Sequence, residues 1–379
     1  NIFPEMGTTG TSIFIRLFLA FLILAIFIMK PFYYNKNMLF LLYTFSIIYT
    51  AKICIALFDD QTHWYRNPQV ILMYYSIYAI VPFLFFAKKE SRFLQNSLKM
   101  AIIHSGIVFS SLTVFFYSSF LMDFGGRISM LEYVLGEETK VLNPLIFSYV
   151  SSITIGLIIC ELYFNIKLKR RMKIYLFSGI IISLIPFIVG ASRGSVFSLF
   201  LPFIYILFKT KYVIHRGKMI LGGLTLFFLL ITIVNITGSS LIDRFNFFTS
   251  DYNSSEFERL AIWKTSIEQT SQNILFGHGL QNNTFNHYPH NIFIEVLQAT
   301  GVVGLSVFFA MIFYAFNLSN YLMKTKRENV WMIIIFQQGL IQAQFTGAIA
   351  DSIIFWAGLG LLCSIRNTQL QSANQRIYI

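Results

Sequence analysis

The sequence predicts an all-α polytopic integral membrane protein with about 11 transmembrane helices and one long outer loop that carries short surface helices. Three observations predict it. Of the 379 residues, 56% are hydrophobic and only 12% are charged, and mean hydropathy is +0.64; a soluble domain carries about twice that charged share. Apolar runs of roughly 20 residues, the length that crosses a bilayer, recur along the chain. The charges are also unevenly placed. With spans at 12–29, 37–58, 68–87, 97–121, 144–166, 174–190, 195–208, 218–236, 301–323, 330–347 and 350–365, most of the 29 Lys and Arg fall on one side and most of the 17 Asp and Glu on the other.

That asymmetry decides what the net charge of +12 means. Basic clusters such as Lys88-Lys89, Lys167 to Arg171 and Lys324 to Arg327 mark the cytoplasmic side. The charge reports topology, so a nucleic-acid partner is not expected. The first residue then lies outside and the last inside. A further upstream span, making 12 with both ends inside, would fit this and the start at Asn1. Cys54, Cys160 and Cys363 sit singly in apolar spans, which gives no disulfide framework and no metal-binding CxxC spacing. They are expected to be inert core residues.

Residues 1–121 form four spans with short connections. Arg16 and Lys52 stand near the outer boundary, where long side chains reach back to water. Asp59-Asp60 opens the first outer loop and is expected to be solvated. His104 and Glu161 lie inside spans, where a structural hydrogen bond is the expected role. Gly190-Ala191-Ser192-Arg193-Gly194-Ser195 then turns between two apolar runs at the outer face. Arg193 there reads equally as an interfacial anchor or as an anion-binding residue.

The segment 237–300 is too polar to span and too long for a mere connection. Ser255 and Glu258 make a capping-box signal for a helix. Leu260, Trp263 and Ile267 follow on one face of it, as in a helix lying on a membrane surface, with Arg259 in or near its first turn. Gly277-His278-Gly279 ends that unit. Pro289 is expected to open a second helix, with His290 and Asn291 in its first turn and Gly301 at its end. A helix start with unpaired N–H groups suits an anion such as diphosphate. His278 and His287 read as loop residues. Asp351, in the turn between the last two spans, is either a plain helix-end acid or a group that orients an arginine or the histidine.

Taken together, Ser192-Arg193-Gly194, Arg259 with Trp263, Phe276-Gly277-His278-Gly279, and His290-Asn291 with Gly301 and Gly304 resemble the bacterial O-antigen polymerase and O-antigen ligase superfamily. Asp351 and the five residues after it are similar to a segment near the end of some ligases. The resemblance covers roughly residues 174–365. It implies metal-independent glycosyl transfer at the periplasmic face of the inner membrane, with no cofactor. The implied donor is a glycan on undecaprenyl diphosphate, whose lipid stays in the bilayer, and a chain-length regulator protein is a further implied partner. Arg193 and Arg259 would clamp the diphosphate. His290 would meet the acceptor hydroxyl or the leaving group, as a base or a hydrogen-bond partner. Asn291, Asp351 and Arg244 complete the expected substrate-binding set, Arg244 only as a basic residue in the right loop.

Polymerase and ligase differ in acceptor, a second lipid-linked repeat unit or lipid A–core. The 42 Phe and 20 Tyr tip the reading to the polymerase, whose variable group they resemble. A flippase or other transporter is the competing class. It is disfavoured because the spans hold few ionisable residues and show no internal repeat.

Overall fold

The computed structural model describes residues 35–58, 66–87, 92–123, 144–165, 167–209, 213–237, 254–325 and 327–364. Among them the chain is helical, with no strand beyond an isolated bridge between Asn282 and His287. The helices are α1 (Lys36–Ala56), α2 (Pro68–Ala87), α3 (Arg92–Asp123), α4 (Pro144–Phe164), α5 (Arg170–Val189), α6 (Arg193–Lys209), α7 (Val213–Thr237), α8 (Ser254–Ser271), α9 (Ile292–Thr325), α10 (Val330–Gln342) and α11 (Ile353–Cys363). Each expected span from 37–58 onward coincides with one of these helices; the span expected at 12–29 and Arg16 lie outside the described residues, as do Asp59-Asp60. Six of the helices (α1, α2, α3, α4, α5 and α9) are long and apolar enough to cross a membrane.

Burial peaks at α10 and α11, which pack against each other and form the centre of the bundle. Every residue from Val330 to Leu340 on α10 is buried. Helices α4 and α6 close around α10, α2 lies on α11, and α1 pairs with α9. Trp356 on α11 links these layers, its ring meeting Phe45 of α1, Tyr75 of α2 and Phe308 of α9. By contrast α1, α3, α5 and α7 present large apolar side chains outward, such as Phe40, Phe115, Phe177 and Phe228, as helices facing lipid do.

The ionisable groups carried on the spans are paired, as a low-dielectric surround favours. His104 Nδ1 meets the Tyr175 hydroxyl at 2.6 Å. Glu161 holds Lys99 in a buried ion pair and accepts from Asn165 Nδ2 at 2.7 Å. Both residues therefore have the structural roles their positions suggest. Lys52 does not simply reach water, since its Nζ donates to the Gly277 carbonyl at 3.0 Å. Of the three thiols, Cys160 and Cys363 are buried but Cys54 is exposed on α1, so the expectation of an inert core residue fails for Cys54, which faces outward.

The surface helix of the long loop is α8. Its apolar stripe is split by packing: Ile262, Ser266 and Thr270 are buried, whereas Leu260 and Ile267 face outward with Phe257. The second helix does not begin at Pro289. It starts at Ile292, because Asn291 supplies the better cap, its Oδ1 accepting from the N–H groups of Phe293 and Ile294. Pro289 and His290 precede the helix, and His290 takes a left-handed φ of 55° that helix geometry forbids.

That second helix runs on into the span and breaks once, at Gly301 (φ 64°, ψ −165°). The turn after α8 docks into the break. Val302 and Val303 donate their N–H groups to the carbonyls of Ile274 and Leu275 at 2.9 and 3.2 Å, while His278 N–H donates to the Gln298 carbonyl at 2.8 Å. Gly277 (φ 78°) and Gly301 face each other so closely that a Cβ on either would strike the other strand's backbone. The Gly301 backbone region is open only to glycine. Gly301→Ala is expected to cost about 1–3 kcal/mol and to lower the thermal unfolding midpoint of the purified chain. Gly279→Ala, where a Cβ meets nothing within 4 Å, should leave the midpoint unchanged; equal midpoints for the two variants would contradict the interlock.

Candidate functional site

The site forms where α10 ends. The last carbonyls of α10 lack intrahelical partners; those of Gly339, Ile341 and Gln342 accept from N–H groups of the following turn, residues 343–346, and the carbonyls of that turn are met by the outer segments. Ile292 N–H, at the start of α9, donates to the Ala343 carbonyl at 3.1 Å. Arg259 Nη1, on the first turns of α8, donates to the Phe345 carbonyl at 3.0 Å. His290 lies against the backbone of Thr346, the next residue. Thus Arg259 and His290, about 30 residues apart in sequence, are brought to adjacent positions of one turn.

The start of α6, which carries Arg193, packs on the same turn from the other side. Arg193 is the first residue of α6, after a tight turn in which Ala191 has a φ of 42°. Its neighbour Gly194 lies against the Phe345 side chain and the Tyr149 hydroxyl. One helical turn on, Phe197 stacks on Phe345 with ring centroids 5.7 Å apart and planes within 6°. Phe345 therefore sits between the two arginine-bearing helices, with its ring on the α6 side and its carbonyl on Arg259. Arg259 and His290 meet around Phe345 and Thr346, and the helix start that carries Arg193 packs on Phe345 beside them.

The loop that carries His290 is held rigidly to α8. Asn282 is fully buried; its Nδ2 donates to the Ile262 carbonyl, Thr265 Oγ1 and Ser266 Oγ, and its Oδ1 accepts from the N–H groups of Thr284 and Phe285. Trp263 Nε1 donates to the Pro289 carbonyl at 2.7 Å, directly before His290. His287 and Tyr288 flank the His290 ring with centroids 4.6 and 4.5 Å away. His278 stands apart, its Nε2 accepting from Asn283 Nδ2 at 2.8 Å.

These surroundings set the charge state of His290. Burial, then the neighbouring His287 and Arg259, and more weakly Arg66, disfavour the imidazolium; the Thr346 backbone only partly offsets them, and the pKa falls to about 4. His290 is neutral at physiological pH. Its Nδ1 is buried and has no hydrogen-bond partner, which leaves a neutral, basic nitrogen in the field of the Arg259 guanidinium. Such an arrangement binds an anion through the guanidinium and takes a proton or a hydrogen bond at the imidazole.

The other expected residues divide. Asn291 caps α9, and with the Ile292 N–H on Ala343 the helix start has its first N–H groups taken. The helix N-terminus is therefore not the open anion site its sequence suggests, because an asparagine and a neighbouring helix end satisfy it. Asp351 does orient an arginine, but neither of those expected. It pairs with Arg66 at 2.7 Å, and its Oδ1 accepts from Ala348 N–H at 2.8 Å. Arg66, just before α2, packs on the rings of Tyr74 and Tyr288. Nothing in the sequence marks Arg66, a lone basic residue at a span end; Tyr288, which touches both Arg66 and His290, links it to the site. Arg244 lies outside the described residues. Among the described residues, no group of three or more His, Cys, Asp or Glu could hold a metal ion.

A comparison with curated proteins gives no match. Residues 179–309, a stretch that carries Arg193, Arg259 and His290, match the family model described as O-antigen ligase, which supports placing this part of the chain in the O-antigen ligase and polymerase superfamily.

Proposed function

We propose that the protein transfers a glycan from a lipid-linked diphosphate donor to an acceptor hydroxyl, at the periplasmic face of a bacterial inner membrane. The family match supports an O-antigen ligase or polymerase type of function. The observation that carries the proposal further is that Arg259, His290 and the α6 start bearing Arg193 all pack on one turn at the end of a membrane bundle. The diphosphate of an undecaprenyl-linked donor is a dianion anchored at the membrane surface, and it gains one further negative charge as it leaves. Two arginines beside that surface neutralise charge as the glycosidic bond to phosphate breaks. The outward-facing Phe257, Leu260 and Ile267 of α8 suit a helix laid against lipid.

In the proposed reaction the acceptor hydroxyl oxygen bonds to the anomeric carbon as that carbon's bond to the diphosphate oxygen breaks. The bonding pair leaves with undecaprenyl diphosphate, and the hydroxyl proton passes to His290 Nδ1. Neither step calls for a metal, and the residues' own charges complete the balance. The acceptor is proposed to be a second lipid-linked repeat unit, which makes the enzyme a polymerase with a chain-length regulator as partner. The ligase reading, with lipid A–core as acceptor, has the description of the matching family in its favour.

The test is reconstitution of the full chain in lipid with lipid-linked repeat units alone. Chain growth is expected; a reaction that waits for added lipid A–core selects the ligase, and no transfer with either acceptor overturns the proposal. Arg193→Ala, Arg259→Ala and His290→Ala should each lower kcat/KM by about 10²–10³, as loss of one transition-state donor does. Lysine at either arginine should restore little, because it lacks the planar fork. The pH profile supplies a further check. With a pKa near 4, His290 stays a competent base down to about pH 5, so the acid limb of kcat/KM should fall near pH 4. A limb near the ordinary histidine value of about 6.5 would contradict this role.

A further inference from the structure

The turn that docks into the α9 break carries Ile274, Leu275 and Phe276, consecutive apolar side chains that are 58, 57 and 56% exposed. Large apolar groups side by side at the tip of a polar segment mark an interaction surface. The interlock fixes where this tip stands. Its carbonyls at Ile274 and Leu275 accept from Val302 and Val303, the first residues after Gly301. From Lys324 in its last turn back to Gly301, α9 measures about 35 Å at 1.5 Å per residue, against a hydrocarbon core of about 30 Å. The break therefore lies at the loop-side boundary of the hydrocarbon. Helix α1 agrees, since Lys52, one turn before that helix ends at Ala56, reaches the Gly277 carbonyl. Below the tip the outward face of α9 continues through Val302, Val303, Phe309 and Phe313. Ser306, on the same face, turns its hydroxyl back onto the Val302 carbonyl at 2.7 Å. Apolar surface thus passes from a membrane-spanning helix onto the tip.

Irregular backbone beside hydrocarbon needs its polar groups taken up within the protein. Here the carbonyls of Ile274, Leu275 and Gly277 accept from Val302, Val303 and Lys52. The N–H groups of Phe276 and Gly277 donate to Asn273 Oδ1 and to the Asn273 carbonyl. The tip turns its side chains outward and its backbone bonds inward. The outward face of α8 differs: Leu260 and Ile267 share it with Lys264 and Glu268, whose side chains are well exposed. A mixed face of that kind suits headgroups, whereas the wholly apolar tip suits acyl chains.

We propose that Ile274, Leu275 and Phe276 form a membrane wedge, inserted among the phospholipid acyl chains of the leaflet on the loop side. The tip lies at the far end of α8 from Arg259 and leads through Gly277-His278-Gly279 into the loop that carries His290. The wedge therefore sets the level at which both residues stand relative to the bilayer. It requires nothing of the reaction they perform.

The test uses the full chain in phosphatidylcholine nanodiscs with an added tryptophan as depth reporter, the signal of the four native Trp being subtracted with the wild type. Phe276→Trp reports on the tip, and Asn283→Trp on an exposed polar part of the same outer segment. The Phe276→Trp emission should be blue-shifted, insensitive to iodide and lost when the acyl chains are brominated near the headgroup end, as for a group set roughly 5–10 Å into the interface. Asn283→Trp should show the reverse. Leu275→Trp should repeat the tip pattern, and it replaces Phe276→Trp if that variant is not recovered folded. Tip reporters quenched by iodide and not by bromine would overturn the wedge. So would protection from both quenchers, which would assign the face to a second copy of the chain or to another protein. Equal bromine quenching at Asn283→Trp would also overturn it, because the tip would then be no deeper than its polar surroundings.

Discussion

A buried helix end organises this protein. Helix α10 is the most enclosed element of the bundle; its own last carbonyls are taken by the N–H groups of residues 343–346, which leaves the carbonyls of that turn to find partners. Unpaired carbonyls in such a place cost several kcal/mol each, so partners must come from elsewhere in the chain. Ile292 N–H takes Ala343 and the Arg259 guanidinium takes Phe345. Those two bonds draw the start of α9 and the first turns of α8 onto a common turn, and with them the imidazole of His290. The site is a consequence of satisfying a helix terminus.

The same requirement explains the break in α9. A continuous helix from Ile292 to Thr325 would leave the turn at 274–279 without a seat. Gly301 opens the helix, and the freed N–H groups of Val302 and Val303 and the freed Gln298 carbonyl are taken up by that turn. Lys52 adds a bond from α1 to the Gly277 carbonyl. The long outer segment is thereby fastened to the membrane helices at two places, the α9 break and the α10 end, and the loop between them is held by Asn282 and Trp263. A loop fixed in this way can hold strained residues. The non-glycine residues with positive φ among those described, Ala191, Asn286 and His290, all border the site, as backbone strain tends to.

Electrostatically the region has two halves that meet at Tyr288. Around Phe345 are Arg259, the α6 start that carries Arg193, and a neutral imidazole, and around Ala348 are an arginine already paired with Asp351 and a buried Glu295.

Hydropathy and charge bias located each described span to within a few residues except at α9, because an apolar run of bilayer length has few alternatives to a membrane helix. Local signals also singled out Arg193, Arg259, His290 and the glycines Gly277 and Gly301, since turns, caps and breaks are written in residue types close together in the chain. What the sequence by itself could not determine depends on which distant groups become partners. It did not mark Arg66 or Glu295, each unremarkable among its neighbours, and it took the start of α9 for an open anion site. Only the packed bundle decides these points. Pairing Arg66 with Asp351, and closing the α9 start with Asn291 and Ala343, are answers to burial, and burial exists only once helices far apart in sequence lie side by side.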